Sequence, residues 1–150
     1  MSNNDQPNLR EPSVTPAAVG SMTGTIKFLH NQTAFLFNTN RVFRGVSSGE
    51  THLYAEHILP GADRAYRIFL YVPGNEPTST TYTIGSTNVR AFVDIVDHAH
   101  LTAESGEIVI QNHTPIRRLT GSAKYKTAPY ENMQYEVEVV FDISDSVTGS

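Results

Sequence analysis

From Thr23 onward apolar and polar residues alternate nearly one for one, a period of two that marks strands with one face buried. Ile26 and Phe28 share a face in TGTIKFL, and Phe35 and Phe37 share one in TAFLF. AYRIFLYV sets Tyr66, Ile68, Leu70 and Val72 against Arg67, Phe69 and Tyr71, and Pro73-Gly74 ends it. TTYTI follows, then NVRAFVDIVD, where Val89, Ala91, Val93 and Ile95 alternate with Arg90, Phe92, Asp94 and Val96. No window sustains an apolar stripe at helical spacing. ETHLYAEHIL is the best helical candidate, so the pattern allows at most one short helix.

The last segment is the clearest. In MQYEVEVVFDIS, Met133, Tyr135, Val137, Val139, Phe141 and Ile143 point one way, and Gln134, Glu136, Glu138 and Asp142 the other. Its expected partner is IRRLTGSAKYK, reached through the loop TAPYEN. Charge and burial together predict a register: Lys124 opposite Glu136 and Arg118 opposite Asp142 outside, with Tyr125 opposite Tyr135, Ala123 opposite Val137 and Leu119 opposite Phe141 inside. Gly121, opposite Val139 in that register, suits a twist, a bulge or tight packing.

Eight or nine such strands with polar turns predict an all-β domain, an antiparallel two-sheet β-sandwich of jelly-roll type, with a closed β-barrel as the alternative. The succession FLYVPG, TTYTIG, SGEIVIQN and LTGSAKY resembles small bacterial β-sandwich domains of uncharacterised function over roughly the last 85 residues. That resemblance implies a fold and no chemistry. Residues 1–21, with Pro7, Pro12 and Pro16 and almost no large apolar side chain, read as a flexible tail, leaving one domain over residues 22–146 and a short tail at 147–150.

Composition narrows the function. At 150 residues the chain has the length of one domain, and its 39% hydrophobic and 17% charged residues fit a globular protein rich in Ser, Thr and Asn. A net charge of -4 offers no general attraction for phosphate backbones, so nucleic acid is not an expected partner. The absence of cysteine removes disulfides, thiolate chemistry and Cys-based zinc sites. The N-terminal residues lack the basic opening and apolar core of a signal peptide, and no run of apolar residues is long enough for a membrane helix. A cytoplasmic protein without membrane contact is the expectation.

Candidate chemistry centres on DHAHLTAE. On one strand, His98 and His100 would share a face with Asp94, which is how a strand presents two imidazoles to a divalent transition metal such as zinc, iron or manganese. Asp94, Asp97, His98, His100 and Glu104 are therefore the candidate metal ligands, with His113 the nearest further donor. The His-x-His spacing followed by Glu104 resembles the first half of the cupin signature, which would imply a metal-dependent enzyme. The flanking cupin glycines fall at Phe92 and Gln111, and the second cupin motif has no counterpart. Glu104-Ser105-Gly106-Glu107 reads as a turn, which places the histidines in a polar hairpin end that needs no metal. GxSxG, GxxxxGK[ST], HExxH and GxGxxG are absent.

Seven tyrosines and seven phenylalanines raise a second possibility, carbohydrate binding by ring stacking. Arg67, Phe69 and Tyr71 share a face and Tyr130 sits in a loop, so these four are the candidate ligand-binding residues. The leading expectation is a non-catalytic module that needs no cofactor and binds a partner protein or small polar ligand through loops or a sheet face. Phe92 and Val96 face away from the buried row of their own strand. A homodimer covering them, or self-assembly through an edge strand, is the remaining reading.

Overall fold

The computed structural model describes residues 19–47, 49–58, 64–74, 77–113 and 118–144. These hold ten strands and no helix: β1 (Val19–Phe28), β2 (Thr33–Thr39), β3 (Val42–Ser47), β4 (Glu50–Ile58), β5 (Ala65–Val72), β6 (Thr80–Thr83), β7 (Arg90–Ile95), β8 (Ala99–His113), β9 (Arg118–Thr127) and β10 (Tyr135–Ser144). β1 starts three residues inside the segment assigned to the tail; residues 1–18 and the C-terminal tail lie outside the described residues. In the helical candidate ETHLYAEHIL, Leu59 lies outside the described residues and Glu50–Ile58 form β4 instead. Its buried Thr51, Leu53 and Ala55 follow a period of two, and strands on both sides satisfy its backbone.

All pairings between these strands are antiparallel, in the order β2-β1-β10-β9-β8-β7-β5-β4-β3, with β6 added alongside β8. This corrects the expectation of eight or nine strands in two jelly-roll sheets. One sheet runs through the domain because β8, 15 residues long, serves both halves. Its first residues pair with β7 and the rest with β9. Between them the ladder is irregular at Ala103 and Ser105, and Gly106 follows at φ 135°, so the strand bends there. At the opposite corner the ends of the sheet meet. Asn38 N–H donates to His57 Nδ1 at 2.9 Å, the Thr39 hydroxyl to the Glu56 carbonyl at 2.6 Å, and Glu56 N–H to the Arg41 carbonyl at 3.1 Å. The sheet is thus nearly closed and barrel-like, the alternative architecture, which leaves few strand edges unpaired.

The alternating residues fill the interior. Met22, Ile26, Phe37, Leu53, Ile68 and Leu101 are among the fully buried side chains, each contributing roughly 1.5–3 kcal/mol by leaving water.

The final hairpin keeps the predicted faces but not the predicted register. Tyr135, Val137, Val139, Phe141 and Ile143 are all buried. Lys124 lies opposite Glu138, Tyr125 opposite Val137, Ala123 opposite Val139, Leu119 opposite Ile143 and Gly121 opposite Phe141, a slip of two residues. The cause is the turn. TAPYEN is not an open loop; its tip is a two-residue turn at Glu131 and Asn132 (φ 47° and 68°), closed by Tyr130 and Met133 bonds of 2.8 and 2.7 Å. Arg118 and Asp142 still meet, now diagonally, through Nη2–Oδ2 at 2.7 Å and Nε–Oδ1 at 2.9 Å. Gly121 is a site of tight packing: a Cβ there would stand 1.9 Å from the Val109 carbonyl oxygen and 2.9 Å from the Phe141 ring.

Both asparagines followed by x-Ser/Thr read from sequence as turn residues. Asn31 is one, accepting a bond from Thr33 N–H at 3.0 Å, whereas Asn112 is a buried residue of β8.

Candidate binding surface

Because Leu53, Ile68 and Val93 point inward, their strand neighbours point out, and the register aligns them. Phe43, Tyr54, Phe69 and Phe92 are directly opposed across β3, β4, β5 and β7 and form one aromatic row. Ring centroids are 5.2 Å apart for Phe43 and Tyr54 and 4.9 Å for Tyr54 and Phe69. Phe92 meets Tyr71 edge-on at 5.8 Å and stacks on His100 at 4.9 Å. Phe69 is only 8% exposed yet stands outside the interior core, so its cover is the side chains of this outer face.

Polar rows flank the rings. On one side His52, Tyr71 and Arg90 are in register. The Arg90 guanidinium lies 4.4 Å above the Tyr71 ring and Glu50 holds it at 3.0 Å, while His52 Nε2 is 3.3 Å from Glu50. On the other side Arg41, Glu56, Arg67, Asp94 and His100 alternate in sign, histidine supplying a charge only when protonated. Glu56 is 3.0 Å from Arg41 and 2.9 Å from Arg67; Asp94 is 3.7 Å from Arg67 and 3.8 Å from His100. Asp94 thus has cations nearby and no direct hydrogen bond to them, although its side chain is only 12% exposed.

Burial sets the electrostatics. It pushes the Tyr54 phenol up to about 12, helped by Glu56, and raises Tyr71 as well. It raises the Asp94 carboxyl too, against the pull of His100 and Arg67. Burial is the largest single influence on the Arg67 guanidinium and pulls its pKa down, but the hydrogen bond it donates to Glu56, together with the charges of Tyr54, Glu56 and Asp94, outweighs burial and the pKa rises.

The opposite outer face is different. Asn38, Thr23, Val140, Ser122, Val109 and Thr81 form one row across β2, β1, β10, β9, β8 and β6, and Leu36, Thr25, Glu138, Lys124, Glu107 and Thr83 form the next. Neither row contains a ring. The aromatic character belongs to one side of the domain.

The sequence-derived site residues divide accordingly. Arg67, Phe69 and Tyr71 do share the outer face, while Tyr130 stands at the β9–β10 tip, 49% exposed. Among the candidate ligands, Asp94 and His100 are cross-strand neighbours. Asp97 (φ 66°) and His98 lie in the β7–β8 turn, closed by His98 N–H on the Ile95 carbonyl at 2.8 Å. The two histidines therefore are not successive same-face positions of one strand. Glu104 accepts a bond from Gln134 at 3.3 Å, and His113 meets Thr120 at 2.8 Å. Among the described residues no group of three or more His, Cys, Asp or Glu is placed to hold a metal ion.

Sequence reasoning missed Phe43, Tyr54, Glu56 and His52. The signal was present in VFRG and THLYAEH, whose second strand face is as regular as the first.

Two open depressions lie away from the rings. One, about 380 Å³, sits at the closing corner beside Ser21, Arg41 and His57; the other, about 450 Å³, lies beside Lys124, Lys126 and Glu136. No helix among the described residues is long and apolar enough to cross a membrane. Comparison with known proteins finds no matching family model, no matching curated protein and no matching solved structure. The resemblance to small bacterial β-sandwich domains stays an expectation from strand pattern.

Proposed function

We propose that this chain is a non-catalytic binding module that recognises a partner protein through the outer face of β3, β4, β5 and β7. The observation that carries this reading is the row Phe43–Tyr54–Phe69–Phe92, set between two polar rows on one side of the domain. Tyr, Phe and Arg are the residue types that interface cores concentrate, because rigid rings supply contact area at low entropic cost. The charges of the flanking rows are paired within the face, which favours a surface of matched polarity over a free anion or a nucleic acid. The rings lie on a sheet face rather than in a concave pocket, which favours a protein over a small molecule.

A photo-crosslinking amino acid at position 92, with position 140 on the opposite face as control, tests this in extracts of the native cells. Discrete products from position 92 alone are expected. Equal or absent products from both positions would overturn the reading, and glycan binding lost in Tyr71→Ala would redirect it to carbohydrate.

A further inference from the structure

We infer that the partner is a second copy of this chain, docked face to face about a two-fold axis that runs along the aromatic row. This rests on the proposed reading of the face and names its occupant.

A two-fold axis along the row turns each strand end for end over its own counterpart, so residues two places before and after the ring exchange positions. On β4, the ring of Tyr54 is flanked by His52 and Glu56; on β5, Phe69 is flanked by Tyr71 and Arg67; on β7, Phe92 is flanked by Arg90 and Asp94. The rotation sets His52 against Glu56 of the second copy, Tyr71 against Arg67, and Arg90 against Asp94. Each contact is complementary: an acid with a histidine, a guanidinium with a ring, and an acid with a guanidinium. All three strands obey the pattern.

The other in-plane axis fails the same test. An axis along β5 would set Arg67 against Arg67 and Glu56 against Asp94, like charges together, and His52 against Arg90, like charges whenever the histidine is protonated. The face is therefore self-complementary in one orientation and self-repelling in the other, which suits a specific pair rather than random stacking.

Asp94 supplies an independent reason. Its carboxylate is nearly enclosed, yet its nearest cations stand at 3.7 and 3.8 Å, so it has acceptor capacity that Arg90 of a second copy would fill. Arg90 meets Glu50 through Nη2 and its side chain is 49% exposed, so a second acceptor can reach the same guanidinium. From β3 to β8 the face spans about 19 Å, and its three rows about 14 Å, from ordinary strand spacings. That footprint, roughly 270 Å² on each copy, is well under the ~800 Å² per partner of a standard complex, and implies a weak, reversible dimer.

The test uses the full chain in sedimentation equilibrium across a wide concentration range. Wild type is expected to pass from one chain towards two as concentration rises. Arg90→Glu and Asp94→Lys, each placing like charges on both sides of the axis, are expected to weaken association at least tenfold. An equal mixture of the two variants regains wild-type association, because each chain then carries the sign the other lacks. Failure of the mixture to regain it, or a wild type that stays single at every concentration, overturns the inference.

Should Asp94→Lys not fold, the cysteine-free chain permits a second measurement. Tyr54→Cys, near the axis, is expected to cross-link to itself under mild oxidation, whereas Val140→Cys is not; equal cross-linking of the two would equally overturn the inference. A single-chain wild type that still gives discrete heavier products from position 92 in extracts removes the dimer and keeps the binding module; no products from position 92 removes both.

Discussion

The phenol of Tyr125 donates a 3.0 Å hydrogen bond to the backbone carbonyl of Phe92, from β9 to β7 across the intervening β8. Tyr125 is fully buried, and burial pushes its hydroxyl well above the ordinary tyrosine value, so it stays a donor. The bond ties the interior to the backbone from which the aromatic row projects. Tyr125→Phe is expected to cost about 1 kcal/mol in urea denaturation, the typical net worth of such a bond. A variant as stable as wild type would show that the carbonyl is served equally well without it.

Gly121 lies under the Phe141 ring with the Val109 carbonyl beside it. Gly121→Val is expected to lose about 3 kcal/mol or more, since either the ring or a strand must move. Thermal denaturation checks this, and a change within about 0.5 kcal/mol would mean that the strands separate more easily than their spacing implies.

Glu56 joins Arg41 and Arg67 from a side chain only 10% exposed. Glu56→Ala leaves Arg67 enclosed without its closest counter-ion, an expected loss of about 3 kcal/mol. Glu56→Gln keeps one acceptor oxygen and should lose less. Equal stability of the two variants would assign the effect to packing instead of charge.

The alkaline limb of stability should carry a signature of Tyr54. Its folded pKa is raised from 10.0 to about 12, so the unfolded chain releases this proton first. The contribution is fully present below pH 10.0 and is lost as pH rises towards 12. Since the ring is partly exposed, about 1 kcal/mol is expected after screening. Tyr54→Phe should flatten the stability profile over that interval by this amount; parallel profiles would place the proton loss elsewhere.

Separation of His98 from His100 predicts that the two do not chelate together. Zinc titration of tag-free wild type and of the His98→Ala, His100→Ala double variant should give indistinguishable isotherms. A micromolar site present in the first and absent from the second would revive the metal-dependent reading.

Facing was legible in most strands because a period of two is written locally: Val137, Val139 and Phe141 need no knowledge of the rest of the chain to point one way, whereas β4 read as the best helical candidate and residues 104–107, inside β8, read as a turn. What requires a neighbour was not legible. The β9–β10 register depended on a turn whose positive-φ residues are Glu131 and Asn132, a pair without glycine, so the hairpin slipped by two while both faces survived. The closure of the sheet depended on β8 bending beside Gly106 and on Asn38 reaching His57, which are events between distant residues. The aromatic row was legible only in part. Arg67, Phe69 and Tyr71 could be placed on one face, but their alignment with Phe43, Tyr54 and Phe92 follows from three strand registers at once.

The pairing of β1 with β10 sets a schedule on the ribosome. β1 and β2 can form their hairpin early, yet the other side of β1 waits for Val137 and its neighbours, on the order of ten seconds later at ~5–20 residues per second. Throughout that interval Met22 and Ile26 remain wet and one hairpin flank stays open to strangers, so a nascent chain of this topology gains from a chaperone's shelter until synthesis delivers its closing strand.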